Sequence, residues 1–302
     1  MKTLYIKDKI TINTSINNNG YVAYLALLCL MKKNIKQYYI NANLLSYTLD
    51  GNFPVLRPMY DSLNDGIINL VDNKIINVVP EIDKTKRRCE CVADVSYIYE
   101  KEGFFTNVDI ADIRWILSKV DQFASAISII RFYIYILSTL HKKKDDELMG
   151  VGFTSIEAMS EKIGLNEKTI YSYLNKLESY ELLYLHKPTC SVIKNEGGIS
   201  EIPSTYGRFK DKKKVTEAGV IYESKYQKKI SRSNKNNLRS LAQKYNVIYN
   251  CALNGNKVPY EDNEIKEIYL GVKELNEKYE INSRNDRIKD LSIFKYYDFY
   301  EE

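Results

Sequence analysis

The chain opens with apolar residues set among polar ones, Leu4, Ile6, Ile10 and Ile12, a spacing that predicts a strand or strand pair. Asn17 to Gly20 breaks the pattern. Tyr21 to Lys33 then reads as an apolar helix, followed by a short Tyr38-Tyr39-Ile40 strand. Asn41 is placed to cap a helix over Asn43–Leu49, and Gly51 to close it. Pro54 opens a third helix, carried through Leu56, Met59, Tyr60 and Leu63 to Asp65. Gly66 is expected to stop that helix. Ile67–Leu70 and Ile75–Val79, joined by residues 71–74, would then form a hairpin.

The same order recurs further along. A long helix is expected over residues 121–143, its apolar positions 123, 127, 130, 134 and 137 spaced by four and three. Phe153 is a short strand candidate. Thr154 is placed as a cap, with Glu157 three residues on, for a helix carrying Ile156, Met159 and Ile163. Gly164 ends it, Leu165 plugs the turn, and Asn166 caps a helix whose Ile170, Leu174 and Leu177 face inward. A strand follows at Leu182–Leu185. By pattern, Leu63–Leu70 overlays Leu177–Leu185 with one extra residue in the second copy.

Between the copies, Asp83–Arg88 reads as a polar, basic linker, Val92–Ile98 as a strand and Phe104–Leu117 as a connector helix. Gly197, Gly198 and Pro203 mark a loop, and helices are expected over 234–250 and 261–280. The resulting division is a first unit over residues 1–82, a connector over 83–120, a second unit over 121–196, and a basic linker with a helical C-terminal region over 197–302.

The helix after Asn166 separates its faces. With Ile170, Leu174 and Leu177 inward, Lys168, Thr169, Ser172 and Lys176 point outward, flanked by Tyr171 and Asn175. Lys reaches guanine O6 and N7, Asn pairs with adenine, and Ser and Thr serve bases or phosphates, so these residues and Asn166 are candidate contacts to double-stranded DNA. His186, Lys187 and Lys194 follow on the expected wing, where His186 reads equally as an incidental surface residue. In the first copy the corresponding surface offers Asn52, Arg57, Tyr60, Asp61 and Ser62, with Lys74 on the hairpin turn. It is less basic, and dimerisation or scaffolding suits it as well as DNA contact.

Charge adds a further candidate. From Arg208 to Arg239 there are eleven Lys or Arg against three acids, a net +8 in a chain of net +5. Arg208, Lys210, Lys212, Lys213 and Lys214 head this block and are candidate phosphate contacts, a solvated face being the plain alternative. Residues 261–302 are acidic, with twelve acids and seven bases.

Other classes lack parts. Five cysteines without a CxxC pair give neither a disulfide framework nor a zinc site, and suit a reduced cytoplasm. Two histidines, His141 and His186, leave little for acid–base triads or metal clusters, and the run from Gly150 to Ser155 lacks the lysine of a phosphate-binding loop. Asp145, Asp146 and Glu147 read as a solvated charge run. No enzyme activity, metal or cofactor is expected. The excess of Tyr, with 26 against 9 Phe, follows A+T-rich codons, with base stacking as the alternative. Tyr21–Met31 is too short to cross a bilayer. Gln122–Leu140 is long enough, but Arg131 sits at its middle and serines and a threonine dilute it, so no membrane span is expected.

The run from Thr154 to Glu178, TSIEAMSEKIGLNEKTIYSYLNKLE, resembles the winged helix-turn-helix superfamily. Two such units in tandem resemble the replication initiators of plasmids and phages from A+T-rich bacteria, over roughly residues 20–195. The resemblance implies a mainly α fold with small β wings, while the helical C-terminal region expected from the residues matches no initiator tail. It further implies sequence-specific binding to repeated sites on double-stranded DNA and recruitment of host replication proteins; apart from the resemblance, a homodimer is a further partner to expect. Tandem units of this kind also occur in transcriptional regulators, and a protein-interaction module that binds no DNA keeps the same pattern.

Overall fold

The computed structural model describes residues 2–32, 35–51, 57–82, 89–99, 104–143, 148–193, 199–226, 229–279, 291–295 and 297. The chain is mainly helical with small antiparallel sheets, and it forms two compact units: Met1–Leu185 with Tyr206–Val215, and His186–Thr205 with Thr216–Glu302. The expected first copy and connector fall in the first unit, whereas the expected second copy over 121–196 is divided after Leu185, its wing from His186 onward belonging to the second unit.

In chain order that unit holds β1 (Thr3–Lys7), α1 (Asp8–Thr11), α2 (Asn18–Leu30), β2 (Gln37–Asn41), α3 (Ala42–Asp50), α4 (Arg57–Asp72), β3 (Asn77–Val79) and β4 (Glu90–Asp94). It continues with α5 (Ser96–Tyr99), β5 (Phe105–Asp109), α6 (Ile110–Lys119), α7 (Phe123–Ser138), β6 (Val151–Gly152), α8 (Ile156–Ile163), α9 (Glu167–Ser179) and β7 (Leu183–His186). After β8 (Cys190–Ile193) and β9 (Ile199–Glu201), β10 (Thr205–Arg208) returns to it, and α10 (Lys212–Ser224) leads out.

Two segments of the first unit share one topology: helix, strand, helix, helix, strand, strand. In the sheets β2-β4-β3 and β6-β10-β7, the last strand in sequence lies between the other two. Tyr39 and Val79 both pair with Val92 in the first sheet, and Gly207 pairs with Val151 in the second. The leading helices, α2 and α7, pack on each other in one continuous core. Tyr21 through Leu27 are all fully buried, as are Ile129, Ile130, Ile134 and Ile136. A helix apolar all round belongs in a core, which is why both segments carried a membrane-like pattern. Among the described residues no helix is long and apolar enough to cross a membrane.

Capping sets the helix starts. Asn17 accepts from Gly20 N–H at 2.8 Å to begin α2, and Asn41 accepts from Leu44 N–H at 2.8 Å to begin α3. Gly51 ends α3 at φ 87°, a left-handed conformation that costs glycine nothing. Residues 52–56, with the expected helix opening at Pro54, lie outside the described residues.

Several expectations are corrected. Ile10 is in α1, a short helix that follows β1 directly. Gly66 does not stop α4: Met59, Leu63, Ile67 and Leu70 form one buried stripe at helical spacing, and the helix runs on to Asp72. A Cβ at Gly66 would stand 2.1 Å from the Asn19 carbonyl oxygen, so this glycine serves the close crossing of α4 on α2. The hairpin is therefore β3–β4, and the overlay of Leu63–Leu70 on Leu177–Leu185 sets helix against strand. Phe104–Leu117 is not one helix, because β5 comes first and pairs with β1, Leu4 opposite Val108. The expected helix over 121–143 spans Phe123–Ser138, and Ser155 rather than Thr154 caps α8, accepting from Ala158 N–H at 3.2 Å.

The second unit contains β8 and β9, joined by β11 (Lys229–Ser231) in a sheet of order β11-β8-β9, then α11 (Arg232–Leu253), α12 (Asp262–Tyr279) and a 3-10 turn over Leu291–Phe294. Ile265, Ile268, Tyr269 and Val272 make the buried stripe of α12 and close over Tyr245 and Ile248 of α11. Phe294 completes this core, its ring 5.2 Å from that of Tyr269.

Candidate nucleic-acid interface

The α8–α9 pair is built by local signals. Gly164 takes φ 68° and ends α8, and Ser160 Oγ donates to Leu165 O at 2.7 Å across the turn. Asn166 Oδ1 accepts from Thr169 N–H at 2.8 Å and from Thr169 Oγ1 at 2.9 Å, which fixes the start of α9. Ile170, Leu174 and Leu177 are buried, and Tyr173 packs its ring 5.6 Å from that of Phe132. The opposite face carries Lys168, Tyr171, Ser172, Asn175 and Lys176, all exposed. Their spacing of three, four, seven and eight residues from Lys168 places them in one stripe. Thr169 leaves the expected set, half-buried with its hydroxyl spent on the cap. Of the flanking acids, Glu167 is exposed, and Glu178 is half-buried and accepts from Leu185 N–H at 3.4 Å.

The basic candidates beyond α9 divide. Arg208 is no surface contact: its guanidinium donates to Asn107 O, stands 3.4 Å from Asp112 Oδ2 and reaches the Tyr133 hydroxyl at 3.5 Å. Tyr133 in turn donates to Asp112 Oδ2 at 2.8 Å, and burial together with Asp112 pushes its hydroxyl well above the usual tyrosine range. Arg208 thus joins β10 to the β5–α6 junction and α7. Lys210, Lys212 and Lys213 are exposed and Lys214 half-buried, with the Lys212 ammonium 5.1 Å above the Tyr184 ring. Lys187 is exposed, while Lys194 and Asp145 to Glu147 lie outside the described residues.

His186 does not point outward. In the second unit its Nε2 lies 3.1 Å from Glu223 Oε1, and the other oxygen of Glu223 accepts from Thr189 Oγ1 at 3.2 Å. A Cβ at Gly219 would stand 2.1 Å from His186 Cδ2, so the ring lies directly on α10.

On the first sheet's side the equivalent helix, α4, has another character. Arg57, Asp61, Asp65 and Asp72 are exposed, and Arg57 pairs with Asp61 one turn away at 3.9 Å. Tyr60 and Ser62 are half-buried, Lys74 is exposed in the turn after the helix at φ 57°, and Asn52 lies outside the described residues. The structure therefore gathers cations and amides on α9 and carboxylates on α4.

One surface escaped the sequence reading. A groove of about 790 Å3 in the first unit is lined by Lys2, Tyr47, Arg114 and Trp115 among others. Its sequence signal was Trp115 followed one helical turn later by Lys119, whose ammonium sits 4.1 Å above the indole. Burial pushes the thiol of Cys29, also in the groove, up to about 11, opposed by the fields of Lys2 and Arg114. Among the described residues no cluster of His, Cys, Asp and Glu is arranged to hold a metal ion.

Compared with known proteins, the chain matches no family model, no curated protein and no solved structure.

Proposed function

We propose that the chain is a sequence-specific double-stranded DNA-binding protein with two tandem winged helix-turn-helix modules, and that it acts as a replication initiator of a plasmid or phage. The observation that carries this reading is the exposed stripe Lys168, Tyr171, Ser172, Asn175 and Lys176 on a helix entered through a glycine turn and an asparagine cap. A helix fits the major groove, and these side chains offer the donors that guanine and adenine edges accept. The shared strand order of the two small sheets supports the tandem description. Lys210, Lys212 and Lys213 supply cations for phosphate contact, a role in which they add affinity without sequence preference. The carboxylates of α4 repel phosphate, so the first module is assigned to holding the second or a protein partner, not to reading bases. The initiator assignment rests on the resemblance of the tandem layout and gains support from a separate helical unit available for host replication proteins.

The test is selection of a preferred site from a random duplex pool with the full chain, followed by Lys168→Ala and Lys176→Ala. A lysine that reads a base loses roughly 1–3 kcal/mol of discrimination at its position, whereas one on phosphate lowers the salt slope by about one. Unchanged affinity, preference and salt slope in two folded variants would remove α9 from the interface.

A further inference from the structure

The groove that contains Trp115 is independent of the α9 stripe and has a definite chemistry. Trp115 is the sole tryptophan of the chain, yet it is 45% exposed, on a helix whose Ile110, Ile113 and Ile116 are buried. Its indole N–H donates to Tyr180 O at 3.1 Å, so the ring is held in place while much of it remains open. Tyr47, on α3 and also lining the groove, is 47% exposed. Two cations share the lining. Arg114 donates from Nε to Leu49 O at 2.9 Å and from Nη2 to Thr48 O at 3.2 Å, and Lys2 Nζ donates to Met31 O at 3.2 Å. Carbonyl acceptors leave the positive charge of both groups uncancelled, and among the described residues no carboxylate lines the groove. Lys119 adds a third cation on the indole.

Exposed aromatic faces beside uncancelled cations suit a ligand that is planar and anionic at once. The groove is open, whereas sites for small ligands enclose most of the bound molecule. A continuous chain laid along a surface fits such a shape, and a single nucleic-acid strand supplies both a stacking face and a phosphate at every residue. We infer that the groove lined by Tyr47, Trp115, Arg114 and Lys2 binds single-stranded nucleic acid, with bases on the two rings and phosphates at the cations. Duplex DNA does not meet the requirement, because its base faces are stacked inside the helix. An acidic peptide would satisfy the cations alone.

The sole tryptophan reports occupancy directly. The full chain is titrated with unlabelled (dT)15, with an abasic strand of equal length, and with polyglutamate, while indole fluorescence is followed. Saturable quenching by (dT)15, weaker by at least about tenfold in midpoint concentration for the abasic strand and polyglutamate, is the expected result. Tyr47→Ala, which leaves the indole reporter in place, should weaken (dT)15 binding roughly 5- to 100-fold, the cost of one lost base stack. Binding of a preferred duplex by the same variant should stay unchanged. Trp115→Phe keeps a ring on α6 and is followed with fluorescein-labelled (dT)15; it should bind more weakly than the native chain and more tightly than Trp115→Ala. Absence of quenching by (dT)15, equal quenching by the abasic strand or by polyglutamate, or native (dT)15 affinity in Tyr47→Ala would each overturn the assignment. None of these outcomes bears on duplex binding through α9, which is measured separately.

Discussion

Arg131 stands in the middle of α7 among buried isoleucines and donates to three backbone carbonyls at the end of α1 and in the loop after it: Thr11 O at 3.0 Å, Ile16 O at 2.7 Å and Asn13 O at 2.6 Å. Its guanidinium also lies 5.1 Å from the Tyr21 ring centroid, and burial holds its pKa below the usual arginine value. A planar fork with five donors can serve three acceptors at once, which an ammonium on a flexible stem cannot. The one charge in an otherwise apolar helix is therefore a clamp that ties α7 to the loop entering α2. Arg131→Met keeps the apolar stem and removes the donors, leaving part-buried carbonyls without partners. Thermal or urea unfolding should show a loss of about 1–3 kcal/mol, with Arg131→Lys between the two. A variant as stable as the native chain would mean that water satisfies those carbonyls equally well.

At the scale of elements, legibility follows how local the deciding contacts are. The α8–turn–α9 stretch was readable because Gly164, Asn166 and the spacing of Ile170, Leu174 and Leu177 act within a few residues of one another. α4 was misread at Gly66 because the contact that explains this glycine, the Asn19 carbonyl, is on another helix. The expected strand over Val92–Ile98 holds only at its start, since β4 is Glu90–Asp94 and Ser96–Tyr99 form α5, and its partnership with β3 was not legible because the pairing spans the segment between Val79 and Glu90. Arg208 looked like a phosphate contact for the same reason: Asn107 and Asp112 lie far away in sequence. Gly66→Ala separates the two accounts of α4 by sign. On an open helix surface the change stabilises by up to about 1 kcal/mol. Against the Asn19 backbone it should instead destabilise by about 1–3 kcal/mol in equilibrium unfolding. A gain in stability would show that the helices are not held at this approach.

At the scale of the whole molecule, what distinguishes an initiator from a regulator is whether the second unit is needed after DNA is bound. Removing everything beyond Lys257 would be a poor test, because Ile265, Ile268, Tyr269 and Val272 of α12 cover Tyr245 and Ile248 of α11, and the remnant would expose that face. Surface changes on α12 avoid the problem. Glu267, Leu270 and Glu274 are exposed and fall three and seven residues apart, on the side away from its buried stripe. Reversing both acids, Glu267→Lys with Glu274→Lys, leaves the core untouched, so folding and the affinity of α9 for a preferred duplex should not fall. If this face recruits a host replication protein, a plasmid dependent on the chain should be sustained by the native protein and lost with the double variant. Loss of maintenance with retained binding would place a partner surface on α12. If the double variant sustains the plasmid as the native chain does, that face recruits nothing. If the native chain sustains no plasmid while both forms repress a reporter placed behind the preferred site, the initiator assignment gives way to regulation.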